Sequence, residues 1–154
     1  MAATREINVD IDARVFNSVY LPYLDNKSRY EVLYGGAGSG KSHFVAQKKV
    51  YQHLKDKGRK TLVVRKVAKT IKNSVFTLLQ DVISDWNVGQ LFNVNKSDFE
   101  ITCINGNKFI FAGLDDVEKL KSIAGVTDMW VEEASEITQE DLQQLDLRLR
   151  GKNP

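Results

Sequence analysis

The sequence predicts an α/β fold built on a mainly parallel sheet, with helices on both faces and one β-hairpin. Three observations carry that prediction. Gly35-Gly36-Ala37-Gly38-Ser39-Gly40-Lys41-Ser42 lies between a short apolar run and a helical pattern. Thr61-Leu62-Val63-Val64-Arg65 is an apolar run of the kind shown by a strand buried on both faces. Phe99, Ile101 and Cys103 alternate with polar residues, and Lys108-Phe109-Ile110-Phe111-Ala112 follows after Asn105-Gly106-Asn107, a strong hairpin signal.

Composition sets the outer limits. The 154 residues suffice for one domain with a sizeable core, at 42% hydrophobic and 27% charged residues. We expect residues 1–30 to form an N-terminal arm and 31–154 the domain itself. The net charge of +2, from 22 basic and 20 acidic side chains, gives no bulk field toward nucleic acid. Any DNA contact must then come from a local patch or from assembly. The single Cys103 excludes an internal disulfide and suits a reducing compartment. No apolar run approaches membrane-spanning length and the N-terminus lacks a signal-peptide core, so neither a membrane nor secretion is expected.

Taken in order, Ile7, Val9 and Ile11 alternate with polar residues, as in a short extended arm. Val15, Phe16, Val19, Tyr20 and Leu21 follow, ending at Pro22. Tyr20 or Phe16 is placed either to stack on a nucleotide base or to cover the sheet edge. Glu31-Val32-Leu33-Tyr34 reads as the strand leading into the glycine-rich loop. Ala46, Val50 and Leu54 then recur at helical spacing, with Phe44 and Tyr51 adding apolar area. Lys57-Gly58-Arg59-Lys60 ends that helix and turns the chain into the strand 61–65. Arg65, Lys66 and Lys69 lie at that strand's C-terminal end, where open α/β sheets bind ligands. Phosphate, DNA, a neighbouring subunit or plain solvent are the alternatives there. Ile71, Val75, Leu78, Leu79, Val82, Ile83 and Trp86 form the stripe of a second, core-facing helix. After the hairpin, Asp115-Asp116-Val117-Glu118 opens a short helix. Thr138-Gln139-Glu140-Asp141 opens the last one as a capping box with Asp in the acidic position. Leu142, Leu145 and Leu149 give it a buried stripe, and Gly151 suits its stop.

Two stretches carry chemistry. Residues 35–42 fit G-x-x-x-x-G-K-[ST], the phosphate-cradling loop of nucleoside triphosphatases. Gly35, Gly36, Ala37, Gly38, Ser39 and Gly40 let successive N–H groups point inward at phosphate oxygens. Lys41 brings a compact positive charge to the β- and γ-phosphates, and Ser42 offers a hydroxyl to Mg²⁺ at a helix N-terminus. The second stretch is Val126-Thr127-Asp128-Met129-Trp130-Val131-Glu132-Glu133, an apolar strand ending in two carboxylates. An acid there holds Mg²⁺ in P-loop ATPases, and the next can polarise the attacking water. Consecutive strand residues diverge in direction, so the two carboxylates can take different roles, with ATP and Mg²⁺ as the implied ligands.

With both acids placed, the chain resembles the ATPase domain of phage terminase large subunits, the motors that package DNA into a capsid. The resemblance runs from about the first strand to the last residue. It rests on LYGGAGSGKS, on VVRK followed by a helix containing NSVF, on DDVEKLKS, on DMWVEEASEI and on LRLRG. It implies a RecA-like sheet, with Lys41 and Ser42 serving phosphates and Mg²⁺, Glu132 as the metal residue and Glu133 as the catalytic one acting on water. Many P-loop ATPases have Asp where Glu132 stands. The resemblance further implies a homo-oligomeric ring on a portal protein, a terminase small subunit as partner, and ATP hydrolysis coupled to translocation of double-stranded DNA. The setting would be the cytoplasm of an infected or lysogenic bacterial host. The family's RNase H-like nuclease domain has no match in these residues. Rings of this kind are expected to complete each site with a basic side chain in trans. Lys121 is the candidate, with Arg65, Arg148 and Arg150 as competitors. In RecA-like order a further strand inserts between the phosphate-loop strand and the acid-bearing strand. We therefore expect a sheet missing its last strands, and an isolated chain with weak nucleotide binding and little DNA-stimulated turnover. The alternatives are another P-loop motor, such as a helicase or recombination ATPase, and a nucleotide-binding assembly module without turnover of its own.

Overall fold

Alternation along three parallel strands gives this protein two cores, one on each side of a single sheet. The computed structural model describes residues 5–149. Its strands are β1 (Lys60–Arg65), β2 (Phe92–Asn95), β3 (Glu100–Cys103), β4 (Lys108–Gly113) and β5 (Asp128–Val131), in the order β2-β3-β4-β1-β5. β1 is the central parallel strand: Val63 lies opposite Phe111 of β4 and Trp130 of β5. β3 pairs antiparallel with both β4 and β2. Side chains one apart point to opposite faces. Val63, Phe109, Phe111 and Trp130 therefore join the core under α1 (Lys41–Lys55) and α2 (Thr77–Asp85). Leu62, Val64, Ile110 and Ala112 join the other core, with Leu120 of α3 (Val117–Ser122) and Leu145 of α4 (Gln139–Asp146). Helices on both faces and a hairpin at Asn105-Gly106-Asn107 are as the sequence predicts. No helix among the described residues is long and apolar enough to cross a membrane.

Three expectations are corrected. Glu31–Tyr34 forms no strand, and Val32 and Tyr34 are 78% and 92% exposed. A strand is stable only against a partner edge, and β5 has β1 on one side and no strand on the other among the described residues. The second helix is not continuous either. A 3₁₀ turn at Ala68–Thr70 leads into a π-helical turn at Lys72–Phe76, broken at Ser74 (φ −128°, ψ −107°), before α2 starts. The side-chain hydroxyls of Ser74 and Thr77 donate to the carbonyls of Thr70 and Lys72, each at 2.7 Å, and so compete with the helix ladder. β2 extends the hairpin by a strand that the sequence reading leaves out. The last helix does form with its capping box, Thr138 and Asp141 each bonding the other's backbone N–H. It ends at Asp146, and Arg150 to Pro154, with the predicted Gly151 stop, lie outside the described residues.

Polar groups are buried at the sheet end remote from the glycine-rich loop, and Asn107, Asp128 and His53 are each partnered there. Asn107 is fully buried; its amide donates to the carbonyls of His53 and Asp56, closing the C-terminal end of α1, and its side-chain oxygen accepts from the Arg59 N–H. Asp128 opens β5 and accepts from Lys49 (2.6 Å), Arg59 (2.6 Å) and Thr61 (2.8 Å). Burial opposes its ionisation, but the charges of Lys49 and Arg59 outweigh that and hold the carboxyl well below the usual range. His53 stacks on Phe109 with ring centroids 3.6 Å apart, its Nδ1 2.9 Å from the Lys49 carbonyl. Burial pushes its pKa down to about 4.

A group whose folded pKa is depressed adds stability above its unfolded pKa and loses it as pH falls toward the folded value. For His53 that window runs from about pH 6.5 down to about 4, and the loss amounts to about 3 kcal/mol at most. Denaturant midpoints measured across it should fall with pH. His53→Phe, which keeps the stack on Phe109, should flatten that part of the profile.

Candidate nucleotide site

The phosphate loop forms where the sequence puts it, directly before α1. Gly38 and Gly40 adopt left-handed backbone at φ +72° and +81°, open to glycine at little cost. Gly40 is also the residue from which α1 starts, and its carbonyl accepts the Phe44 N–H. Lys41 folds back over the loop; its ammonium donates to the carbonyls of Gly35 and Gly36 (each 2.8 Å) and to Ser39 Oγ (2.9 Å). A cation and the N-terminal end of a 15-residue helix thus converge on one loop, the arrangement that binds phosphate.

The loop meets the acids across 90 residues of sequence: Ser42 Oγ donates to Glu132 Oε1 at 2.7 Å. The alternation of β5 explains why. Asp128, Trp130 and Glu132 share the α1 face, and Glu132 continues the ladder by donating its N–H to the Val64 carbonyl at 2.9 Å. Trp130 Nε1 donates to the other carboxylate oxygen, Oε2, at 3.1 Å. Glu133 follows with its side chain exposed and its backbone left-handed (φ 54°, ψ 52°), heading the 3₁₀ turn Ala134–Glu136.

The family model described as phage terminase large subunit matches residues 27–154. This chain belongs to that family. It is 36% identical over 146 residues to the PBSX phage terminase large subunit of Bacillus subtilis (strain 168), covering 95% of this chain and 32% of that protein. It is 40% identical over 115 residues to the terminase large subunit of Bacillus phage SPP1, covering 71% and 27%. The chain thus spans about a third of the length of these relatives. Its fold is that of large terminases. The structure of the enzyme from the thermophilic bacteriophage D6E in complex with ADP aligns with a TM-score of 0.60 at 16% identity, over 77% of this chain and 31% of that one. The large terminase ATPase domain of Thermus phage P74-26 aligns at 0.59 and 13% identity, over 77% and 55%.

In this terminase-family chain the other predicted residues are placed as follows. Tyr20 stacks its ring on Phe44 (centroids 4.9 Å apart, planes 13°) and donates its hydroxyl to the Ser39 carbonyl at 2.9 Å, which braces the loop from outside. Phe16 is buried edge-on against Trp86. Lys121 lies in α3, exposed, 3.5 Å from Glu118. Arg65 reaches Glu136 at 3.6 Å, and so ties the end of β1 to the turn that Glu133 heads. Lys66 pairs with Asp141 of α4, Lys69 is exposed in the 3₁₀ turn Ala68–Thr70, and Arg150 lies outside the described residues. The sequence reading missed the donor role of Trp130 and the anchoring of Asp128. Counting back in twos from Glu132 would have placed both on its face.

The donor set suits Mg²⁺, which keeps several waters and takes a carboxylate and phosphate oxygens rather than a full protein cage. Ser42 and Glu132 supply two adjacent oxygens, and no cluster of three metal-ligating side chains occurs among the described residues.

The backbone of Glu133 is strained in a way that glycine would relieve. Left-handed geometry costs a residue with a side chain about 1–2 kcal/mol, against about 0.5–1 kcal/mol of extra chain entropy for glycine. Glu133→Gly should therefore raise stability by up to about 1 kcal/mol in chemical denaturation. Glu133→Ala keeps the strain and should show no such gain.

Proposed function

We propose that the chain binds ATP with Mg²⁺ at the loop 35–42 and hydrolyses the β–γ phosphoanhydride, and that this turnover drives double-stranded DNA into a phage capsid. The 2.7 Å bond between Ser42 and Glu132 carries the reading, because it brings two motifs 90 residues apart onto one point at the end of a helix. Membership of the terminase family supports the packaging role, and the ADP complex of the D6E enzyme supports the nucleotide.

Lys41 exchanges loop carbonyls for β- and γ-phosphate oxygens and offsets their charge. The N–H groups at the start of α1 add their dipole to it. Ser42 and Glu132 are the residues that would hold Mg²⁺, which would supply positive charge against the phosphate oxygens. Glu133 takes a proton from the attacking water as the new oxygen–phosphorus bond forms and the bond to the bridging oxygen breaks. Its exposure beside the strand end gives water access. The N-terminal arm lies on the base side in this reading. A cleft of about 220 Å³, lined by Val15, His43, Gln47 and Trp86, opens next to the first turn of α1. The chain would work in a homo-oligomeric ring with a portal protein and a small subunit, in the host cytoplasm.

Two variants separate binding from chemistry. Lys41→Ala should lose most ATP affinity, at least about a hundredfold, by removing the central counter-charge. Glu133→Gln should bind ATP as before and lose hydrolysis by about a hundredfold or more. Equilibrium binding and single-turnover hydrolysis read the two. Unchanged hydrolysis in Glu133→Gln would move the base elsewhere, with Glu132 or Glu136 next in line.

We assign the trans-acting cation to Lys121, exposed on α3, whose ion pair among the described residues is a 3.5 Å contact to Glu118. Arg65 is committed to Glu136 within its own chain, which makes it the weaker competitor. Mixed rings of Lys121→Ala and Glu133→Gln subunits should recover part of the ATPase rate, since some interfaces then contain one intact copy of each. No recovery at any ratio would rule Lys121 out.

A further inference from the structure

We propose that Trp130 is a positioning residue for the metal-binding carboxylate: its indole N–H fixes Glu132 so that the acid meets Mg²⁺ in one orientation. This rests on the ATP·Mg²⁺ reading above and extends it to a residue of the acid-bearing strand that has no role in that reading.

A Glu side chain has one more rotatable bond than Asp, and at the end of a strand nothing in the backbone limits where its carboxylate turns. Here both oxygens are held from different elements. Ser42 Oγ of α1 donates to Oε1 at 2.7 Å and Trp130 Nε1 of β5 donates to Oε2 at 3.1 Å. The two donors engage different oxygens and so restrict how the carboxylate can turn. Each oxygen keeps a second lone-pair site for a metal or its water.

The tryptophan is the more rigid of the two holders. It is 5% exposed and belongs to the core between the sheet and α1 with Ala46, Val50 and Val63. Its ring cannot turn without opening that core. Ser42 is only partly buried and its hydroxyl hydrogen rotates, so it restrains Glu132 less firmly. An indole has a single donor and no acceptor, so the bond to Glu132 has one sense only. Spacing makes the pairing possible: residues two apart on a strand share a face, and a tryptophan reaches one position along it. The longer acid and the tryptophan thus act as a unit. An Asp at position 132 would fall short of Nε1.

The test uses a fluorescent ADP analogue titrated into the chain in EDTA and again in Mg²⁺. Binding in EDTA reports the loop; the gain on adding Mg²⁺ reports Glu132. Trp130→Phe keeps the ring and removes the donor. It should leave binding in EDTA unchanged and cut the Mg²⁺-dependent gain about tenfold. Glu132→Gln should abolish the gain, and adding Trp130→Phe to it should cost nothing more, because both act through one carboxylate. A full Mg²⁺ gain in Trp130→Phe, or losses that simply add in the double variant, would overturn the proposal. No binding by the unsubstituted chain in either condition would overturn the ATP reading and this inference with it. A second measurement does not depend on how Trp130→Phe folds. The sequence has two tryptophans, hence two indole ¹H–¹⁵N resonances. Glu132→Gln should shift the Trp130 signal and leave that of Trp86 in place. An unmoved Trp130 resonance would show that the bond does not form, and would sink the idea.

Discussion

The structure depends on how one face of β5 is registered against α1. Two contacts set it. Lys49 bonds Asp128 at the start of the strand and Ser42 bonds Glu132 just past its end. Seven residues of helix rise about 10.5 Å, and four residues of strand about 13 Å, so the two elements run in opposite senses with both ends matched. A slip of one residue would turn Glu132 to the far face and bring Val131 or Glu133 against Ser42. The same shift would leave Lys49 and Arg59 buried without their carboxylate, which costs several kcal/mol. The buried ion pair at one end of the sheet thereby fixes the position of the acid at the other.

Most of this was legible in the sequence where local chemistry is decisive. The glycine-rich loop, the Asn-Gly hairpin, the capping box at Thr138 and the acids after an apolar strand each depend on a few neighbouring residues, and each stands where predicted. What failed depends on partners distant in sequence. Glu31–Tyr34 has strand composition, but composition supplies no neighbouring edge, and without one Val32 and Tyr34 stay in solvent. The apolar stripe from Ile71 to Trp86 is real, since Ile71, Val75, Leu79 and Val82 are all buried. The stripe says nothing of Ser74 and Thr77, whose hydroxyls capture carbonyls and break the helix. β2 was overlooked because four residues, Phe92 to Asn95, give only two apolar positions on which to read a period.

The loop itself is held from three directions by side chains. Tyr20 bonds the Ser39 carbonyl from the arm, Lys41 bonds the carbonyls of Gly35 and Gly36 from within, and Glu132 holds Ser42 from the sheet. Glycines give the loop its shape but no rigidity, so the surrounding side chains must provide it. That explains why the arm matters to the site although its described residues form only 3₁₀ turns, at Ala13–Val15 and Leu21–Tyr23. Phe44 serves both the core and the stack on Tyr20, which ties loop geometry to packing under α1.

β5 has an acid at its start and another just past its end, and their partners differ in kind. Asp128 is met by two cations, Lys49 and Arg59, and by the hydroxyls of Thr61 and Thr127. Its charge is balanced where it stands, with Arg59 shared between it and Asp56, so its effect is on stability. Glu132 receives hydrogen bonds from two neutral donors, Ser42 and Trp130, and pairs with no cation among the described residues. Neutral donors fix a carboxylate without cancelling its charge, so the full negative charge remains for a divalent ion. Sequence position alone ranks the two acids equally, four residues apart on one face. The kind of partner separates them: a carboxylate buried among cations is structural, and one oriented by uncharged donors at a helix N-terminus is poised to bind.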